Sequence, residues 1–415
     1  MHQPSTRCAL AGVLLAGVSI AAGSLYLIPG PSPVRAASGL GVIPMQGTPS
    51  ATATPICSPS GAIVTSPNAG TSRDGLNAVA GVAANDVWAV EYELLDNGNW
   101  RSPPLHWDGS SWSIIPNPTP GIHTDFYDVA ARTTNDVWAV GGYKPDSSHY
   151  QTQTQHWDGT SWTFVASPNV GQGLNNLVAV APIAANDVWA AGFANNGVAQ
   201  TLTEHWTGSS WQIVPSANVG TGANQIFGLA AVAANDIWAV GNYNTGTRNQ
   251  TLVEHGTGSS WQIVASPNMG TGSNFLQRVA ALAGNNVWAV GYYVNASMTR
   301  QTLVEHWDGT TWSIVPSANT GTGQNTLDGI AVLAADDIWA GGFAGSSPTQ
   351  QNLVEHWDGS QWSIIPSPDA GSGDNGLHGL AAVPGGGVWA VGSATNAGVE
   401  RTLTIHYAIT CPAAT

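Results

Sequence analysis

The chain has 415 residues, with 25 acidic residues against 10 basic ones and a formal net charge of −15. Charged residues make up only 8% of it and Lys144 is the sole lysine, so the exterior must be built from Ser, Thr, Asn, Gln and Gly. That balance excludes nucleic acid and an anionic membrane surface as partners, and suits hydrogen bonding to carbohydrate or to another protein.

Residues 1–36 carry an export pattern. Arg7 precedes an uncharged apolar run from Ala9 to Ile28, then Pro29-Gly30-Pro31, then Val34-Arg35-Ala36 as a small-residue cleavage site. A signal peptide is expected here. The run is nearly long enough to span a bilayer, so an uncleaved N-terminal anchor is the alternative. Cys8 lies before the apolar run, where a lipoprotein cysteine would lie after it. Residues 37–56, rich in Ser, Thr, Pro, Ala and Gly, are expected to form a flexible linker. Either way the remainder, 57–412, is expected to be secreted or displayed at the cell surface, where disulfides persist.

From residue 61 onward one pattern recurs. Asn85-Asp86-Val87-Trp88-Ala89-Val90 has six further copies, with their Trp at Trp138, Trp189, Trp238, Trp288, Trp339 and Trp389, at steps of 49 to 51 residues. A His travels with it, at His106, His156, His205, His255, His306, His356 and His406. In six copies a second Trp follows that His: Trp112, Trp162, Trp211, Trp261, Trp312 and Trp362. Self-similarity at this period with strand-like content predicts an all-β fold, a seven-bladed β-propeller of four-stranded antiparallel blades.

Each copy divides into four strands. Leu76 to Val82 alternates around small residues and predicts strand A; Asn85-Asp86 is a tight turn; Val87 to Val90 is strand B. Strand C is clearest as Thr302 to Trp307, and Asp308-Gly309 then turns the chain into strand D, Trp312 to Val315, ended by Pro316. The last copy stops after strand C, at Thr402 to Tyr407, while an unpaired fragment before the first copy, Ala62 to Asn68, matches Ser363 to Asp369. The N-terminal strand is therefore expected to complete the last blade, closing the ring and removing an open sheet edge. Cys57 and Cys411 flank that junction and are expected to form a disulfide, two free thiols being the alternative. A monomer is expected.

Val137-Trp138-Ala139-Val140-Gly141-Gly142-Tyr143, followed by the Gln-His-Trp-Asp-Gly run and Trp162, resembles kelch repeats, and the chain is similar over residues 61–407 to kelch-like and galactose-oxidase-like propellers. Only Gly141-Gly142 and Gly341-Gly342 keep the double glycine of that family, and Glu91 stands where it should begin in the first copy. The resemblance implies architecture. Its copper site does not carry over, because no cysteine lies between Cys57 and Cys411. No cofactor and no metal site are expected, and no nucleophile motif is present. The Trp-Asp-Gly-Ser-Ser-Trp turns look like sialidase Asp boxes but have the Asp four residues before the Trp instead of five, and they recur as structural turns.

Function is sought where the copies differ, since shared positions maintain the fold. The seven histidines, mid-strand C in every copy, are expected to be structural, as are most of the nineteen tryptophans. Trp100 lies outside the pattern, in the first B–C loop, and is open to either sugar stacking or loop packing. The D–A loops end in an Asx ring, Asp74, Asp125, Asn175, Asn224, Asn274, Asn325 and Asn375, which either lines the channel mouth or closes Asx turns. Three residues on, the copies diverge: Asn77, Asp128, Val178, Phe227, Gln277, Asp328 and His378, with Arg278 beside Gln277. A polar ligand site is expected there, with Asp74, Asn77, Asp125, Asp128, Gln277, Arg278, Asp328 and His378 as candidates. The expected function is an extracellular non-catalytic binding scaffold for carbohydrate or a surface protein. A glycan-active hydrolase or lyase, with Asp128, Asp328 and His378 as acid and base, and a structural adhesion or spacer element are the alternatives.

Overall fold

The computed structural model describes residues 58–146 and 149–410. The expected signal peptide, the linker and both Cys57 and Cys411 lie outside the described residues. The described chain is a ring of seven antiparallel blades with no helix: five four-stranded sheets and one nine-stranded sheet. The larger sheet is two blades, the last and the first, joined by a single parallel bridge between Arg73 and Glu400.

The expected strands are present; A, B and C are longer than the sequence pattern alone suggests and D is one residue shorter. In blade 1 strand A is Arg73–Ala83 and strand B is Asp86–Leu94. In blade 5 strand C is Arg300–Trp307, and strand D is short, Trp312–Ile314. Strand B lies between neighbouring blades on both faces, so Val87, Trp88, Ala89 and Val90 are all buried and the run is continuously apolar instead of alternating. Strand A lines the channel, where inner strands converge so closely that several positions have room only for a small residue. A Cβ on Gly228 would sit 2.9 Å from the Cα of Arg278, and one on Gly379 would sit 3.0 Å from the Cα of Ala78.

The hydrophobic core is a set of seams, each shared by two blades. Ala78, Trp88 and Val90 of blade 1 pack with Phe126, Val129, Val137 and Trp162 of blade 2. Within that seam Trp88 lies 5.0 Å from Trp157 in a tilted arrangement and 5.4 Å from Trp162 edge-on. Trp138 repeats this with Trp206 and Trp211, and Trp238 with Trp307 and Trp312. Offset and edge-to-face pairs of this kind add about 0.5–1.5 kcal/mol each beyond their buried area.

Closure follows the expected route. The N-terminal strand Ser58–Ile63 pairs antiparallel with Val399–Thr410, and Ala62 stands opposite His406 as Ser363 stands opposite His356. Val64 then donates its N–H to Thr404, as Ile365 does to Val354 in the preceding blade. Gly61 occupies the register position of the strand D Trp, and Tyr407 folds over it, so that a Cβ on Gly61 would meet the Tyr407 ring at 2.5 Å. Tyr407 is fully buried 5.3 Å from Trp339, supplying to this seam an aromatic ring that strand D does not.

Candidate functional site

The two faces of the ring carry different chemistry. On the face of the A–B and C–D turns the strand C histidine donates within its own blade, not toward a ligand. His106 Nε2 lies 2.9 Å from Asp86 Oδ1, and the same bond recurs for His156, His205, His255 and His356 with Asp136, Asp187, Asp236 and Asp337. In blade 5 the partner is Asn286, at 3.0 Å, and burial holds His306 below the ordinary imidazole range. The Trp-Asp-Gly turns are also structural: Asp108 Oδ1 accepts from the Ser110 and Ser111 amides at 2.8 and 2.9 Å. Hydrogen bonds to the carboxylate form, from the Ser110 hydroxyl first, hold Asp108 at about 2. Among the described residues no cluster of three or more His, Cys, Asp or Glu is placed to hold a metal.

On the opposite face the Asx ring closes turns. Asn175 Oδ1 accepts the Val170 amide at 2.8 Å and its Nδ2 donates to Gly173 at 3.0 Å; Asn224, Asn274, Asn325 and Asn375 repeat the pattern. Asp74 does the same with Gly70 at 2.8 Å and is fully buried against Arg401, 2.7 Å away. It therefore does not line the mouth. Asp125 is not a member of the ring at all. Thr124 pairs with Tyr143 and Asp125 with Gly142, whereas Asn175 pairs with Ala194, the equivalent of Tyr143. The one-residue slip points Asp125 to the other side of its strand, where Tyr150 donates to it at 3.0 Å.

The same slip corrects the divergent ring. Every strand A carries a β-bulge immediately after its Leu, Ile or Phe, at Asn77, Val178, Phe227, Gln277, Asp328 and His378, and in blade 2 the bulged residue is Tyr127, not Asp128. Asp128 and Arg278 instead share the next ring down, with Ala78, Ala179, Gly228, Gly329 and Gly379. The inner strands leave backbone groups unpaired along the channel, and these side chains serve them. Asn77 donates to Phe126 O at 2.7 Å, His378 Nδ1 lies 2.9 Å from Leu76 O, Arg278 donates to Phe227 O at 2.8 Å, and Asp128 accepts the Val180 amide at 2.9 Å. Each of these bonds crosses from one blade to the next. Burial pushes Asp128 up to about 6 against the pull of Arg278, and burial likewise raises Asp328 against His378. Asp128 and Arg278 border a cavity of about 130 Å³ in the throat. Of the candidates, Asp328 bonds only within its own strand, to Thr326 at 3.2 Å.

A roomier polar pocket, about 310 Å³, opens on this face where blades 6, 7 and 1 meet. Of the eight candidates only His378 lines it, together with Asn375 of the Asx ring. The others are Arg73, Tyr92, Phe343, Gln350, Asp374 and Glu400 with their neighbours. Tyr92 donates to Glu400 Oε1 at 2.6 Å and Arg73 Nε bonds the other carboxylate oxygen. Burial works to raise Glu400, but the bonds from Tyr92, Arg73 and Ser393 outweigh it and hold the carboxyl below its usual range. Burial, then the Glu400 charge, pushes the Tyr92 phenol up. The Arg73 guanidinium lies 6.0 Å from the Tyr92 ring and 5.7 Å from the Trp100 ring. Trp100 thus packs in the wall beside the pocket, T-shaped to Tyr92 at 6.1 Å. With Nδ1 held by Leu76 O, the Nε2 edge of His378 is the one left to face the pocket.

A larger cavity, about 600 Å³, lies on the other face at blade 7 and is mainly apolar, bordered by Trp107, Val383, Trp389, His406 and Gly385–Gly387. It exists where blade 7 departs from the repeat: Gly387 replaces the turn Asp, and His406 bonds the Gly386 carbonyl instead.

No protein-family model matches the sequence, and no curated protein does. Solved structures share the fold. YCF48 from Cyanidioschyzon merolae aligns with a TM-score of 0.52 at 12% identity, over 83% of this chain and 98% of that one. A YCF48 bound to D1 peptide aligns at 0.50 and 12%, over 84% and 97%. A PL25 ulvan lyase bound to -[GlcA(1-4)Rha3S]- aligns at 0.50 and 9%, over 82% and 94%. These similarities establish a β-propeller and no narrower family; the kelch-like resemblance rests on the sequence motifs alone.

Proposed function

We propose that the protein is an extracellular, non-catalytic binding scaffold that takes a carbohydrate, or a polar surface of another protein, at the seam of blades 6, 7 and 1. One observation carries the reading: Arg73 and Glu400, which no other blade repeats at their positions, meet Tyr92 in a charged, aromatic-walled pocket. Residues that the repeat does not require, gathered around a concave polar space, are what ligand binding needs and packing does not. Propellers of the same fold hold a peptide in one neighbour and an oligosaccharide in another. Export fits the N-terminal apolar run and the scarcity of lysine.

The second reading, a glycan-active enzyme, is favoured by His378, whose pinned tautomer leaves Nε2 as an acceptor toward the pocket. Against it, Tyr92 is driven away from the phenolate and Glu400 is already tied to two donors. A glycan array run beside a polysaccharide-depolymerisation screen separates the readings. Retention of a glycan without new reducing ends, lost in Tyr92→Phe and Arg73→Ala, is expected. Turnover abolished by His378→Ala would establish the enzyme instead.

A further inference from the structure

We infer that the seam pocket takes a neutral or amine-bearing sugar and discriminates against acidic ones. The inference rests on the binding reading above and adds the charge class of the ligand. Arginines at and beside this seam are already committed. Arg73 is paired with Glu400, Arg101 with Glu93 at 2.7 Å, and Arg401 with Asp74 at 2.7 Å. A uronate or sulfate group entering the pocket would therefore meet cations whose charge a neighbouring carboxylate already balances, which weakens the attraction.

Carboxylate is left in excess. Asp374 lines the pocket and accepts only neutral donors, the Gln350 amide at 2.9 Å and the Ser347 hydroxyl at 2.7 Å. In a recess that is partly withdrawn from water, an unmatched carboxylate repels an incoming anion and attracts an ammonium more strongly than it would at an open surface. The walls fit a sugar ring: Tyr92 and Phe343 provide apolar faces, while Gln350, Ser393 and Thr395 provide neutral hydrogen-bonding groups. At about 310 Å³ the space lies at the small end of ligand sites, so one or two sugar units would be enclosed and the rest of a chain would lie outside.

Calorimetric titration of the whole secreted protein with three matched oligomers tests this: glucosamine, N-acetylglucosamine and glucuronate-containing chains, at low and at physiological salt. The amine-bearing oligomer is expected to bind at least about tenfold more tightly than the uronate, with the gap narrowing as salt screens the carboxylates. Asp374→Asn should shrink the amine-over-neutral ratio. Glu400→Gln, which frees Arg73, should raise uronate affinity. The two variants move selectivity by different routes, and the wild-type comparison stands even if either fails to fold. Uronate binding equal to or tighter than the amine-bearing oligomer in the wild type would overturn the charge assignment while leaving the binding scaffold intact. Failure of all three oligomers to bind would overturn the charge assignment together with the carbohydrate reading, leaving a protein surface as the ligand of the scaffold.

Discussion

On the face of the A–B and C–D turns, six of the seven blades repeat the same histidine bond to an Asp or Asn at the start of strand B. On the opposite face no two blades present the same set at three strand-end positions: blade 1 offers Arg73, Tyr92 and Trp100, blade 4 the equivalents Ala223, Asn242 and Asn249, blade 7 Asp374, Ser393 and Glu400. The first face holds each blade to itself and tolerates little variation. The second is free to vary because its strand ends are already satisfied by the Asx turns below them. Blade 7 is the exception on both sides, since it lacks the turn Asp and lends Glu400 to the polar pocket. The ring is thus most specialised where it is closed.

The largest effect should come from breaking that closure. Removing residues 58–64 takes strand D from blade 7 and exposes the edge of Val399–Thr410. We expect loss of the cooperative thermal transition, whereas deleting 37–56 should leave it in place; equal melting curves would contradict closure by the N-terminal strand. Cys57 and Cys411 lie one residue beyond the last described pair, Ser58 opposite Thr410, and outside the described residues. We propose that they are bonded, which in the chain-entropy account adds at most about 5 kcal/mol; intact mass after alkylation without reductant should show no free thiol at either.

A second prediction concerns the seams, which neither face controls. Six of the seven glutamates in the chain are buried, and four of them, Glu204, Glu254, Glu305 and Glu355, occupy the same strand C position. Each faces the D–A loop of the preceding blade. Glu254 and Glu355 accept the Ala217 and Ala318 amides at 3.2 and 3.1 Å. In the loops facing Glu204 and Glu305 the corresponding residue is Pro168 or Pro267, which has no N–H, so no backbone donor reaches these carboxyls and only the Ser167 and Ser266 hydroxyls act against their burial. Blade 2 has Gln155 in this place, donating to Pro118 O at 2.8 Å, which shows the neutral form that the seam accommodates. Burial pushes all four carboxyls up to about 8. The folded state therefore keeps protons that the unfolded chain releases near 4.5. This contribution to stability is complete below that pH and is lost as pH rises toward 8, by up to about 1.4 kcal/mol per pH unit for each group. Melting temperatures across pH 4.5 to 8 should fall for the wild type and fall less steeply when all four are changed to Gln, with Glu91, which burial pushes up to about 9, left to act in the same direction. Parallel curves would refute the account.

The sequence shows the repeated features plainly and the unrepeated ones poorly, for a physical reason. Trp88 and His106 are legible because seven seams pose the same packing problem and the answer is written seven times. The polar pocket is written once, from Arg73 and Glu400, which are 327 positions apart and adjacent only because the ring closes. A sequence comparison of strand A columns reaches His378 but not Tyr92 or Glu400, which stand on strands B and C. It also misplaces Asp125 and Asp128, because a loop one residue out of step turns each side chain to the opposite side of the strand. The bulge itself leaves no mark in composition: the bulged residue is Asn, Tyr, Val, Phe, Gln, Asp or His.

The smallest predicted effect lies in the throat, and it tests whether the variable face is wholly free of structural duty. Asp128 accepts the Val180 amide of the next blade, and Val180 is buried, so Asp128→Ala leaves an inner-strand N–H without a partner. An unsatisfied buried donor costs about 1–3 kcal/mol. Asp328 is comparably placed on the channel but bonds only Thr326 on its own strand, and burial already disfavours its charge. Asp328→Asn keeps the shape and an acceptor for that hydroxyl, so stability should change by less than about 0.5 kcal/mol. Chemical denaturation of the two variants at neutral pH measures the difference directly. A larger loss in Asp128→Ala than in Asp328→Asn identifies the throat charges as stitches between blades that ligand binding has no need of. Equal and negligible losses would return Asp128 and Arg278 to the list of residues that only a ligand can explain, and the throat, not the seam, would become the place to look for it.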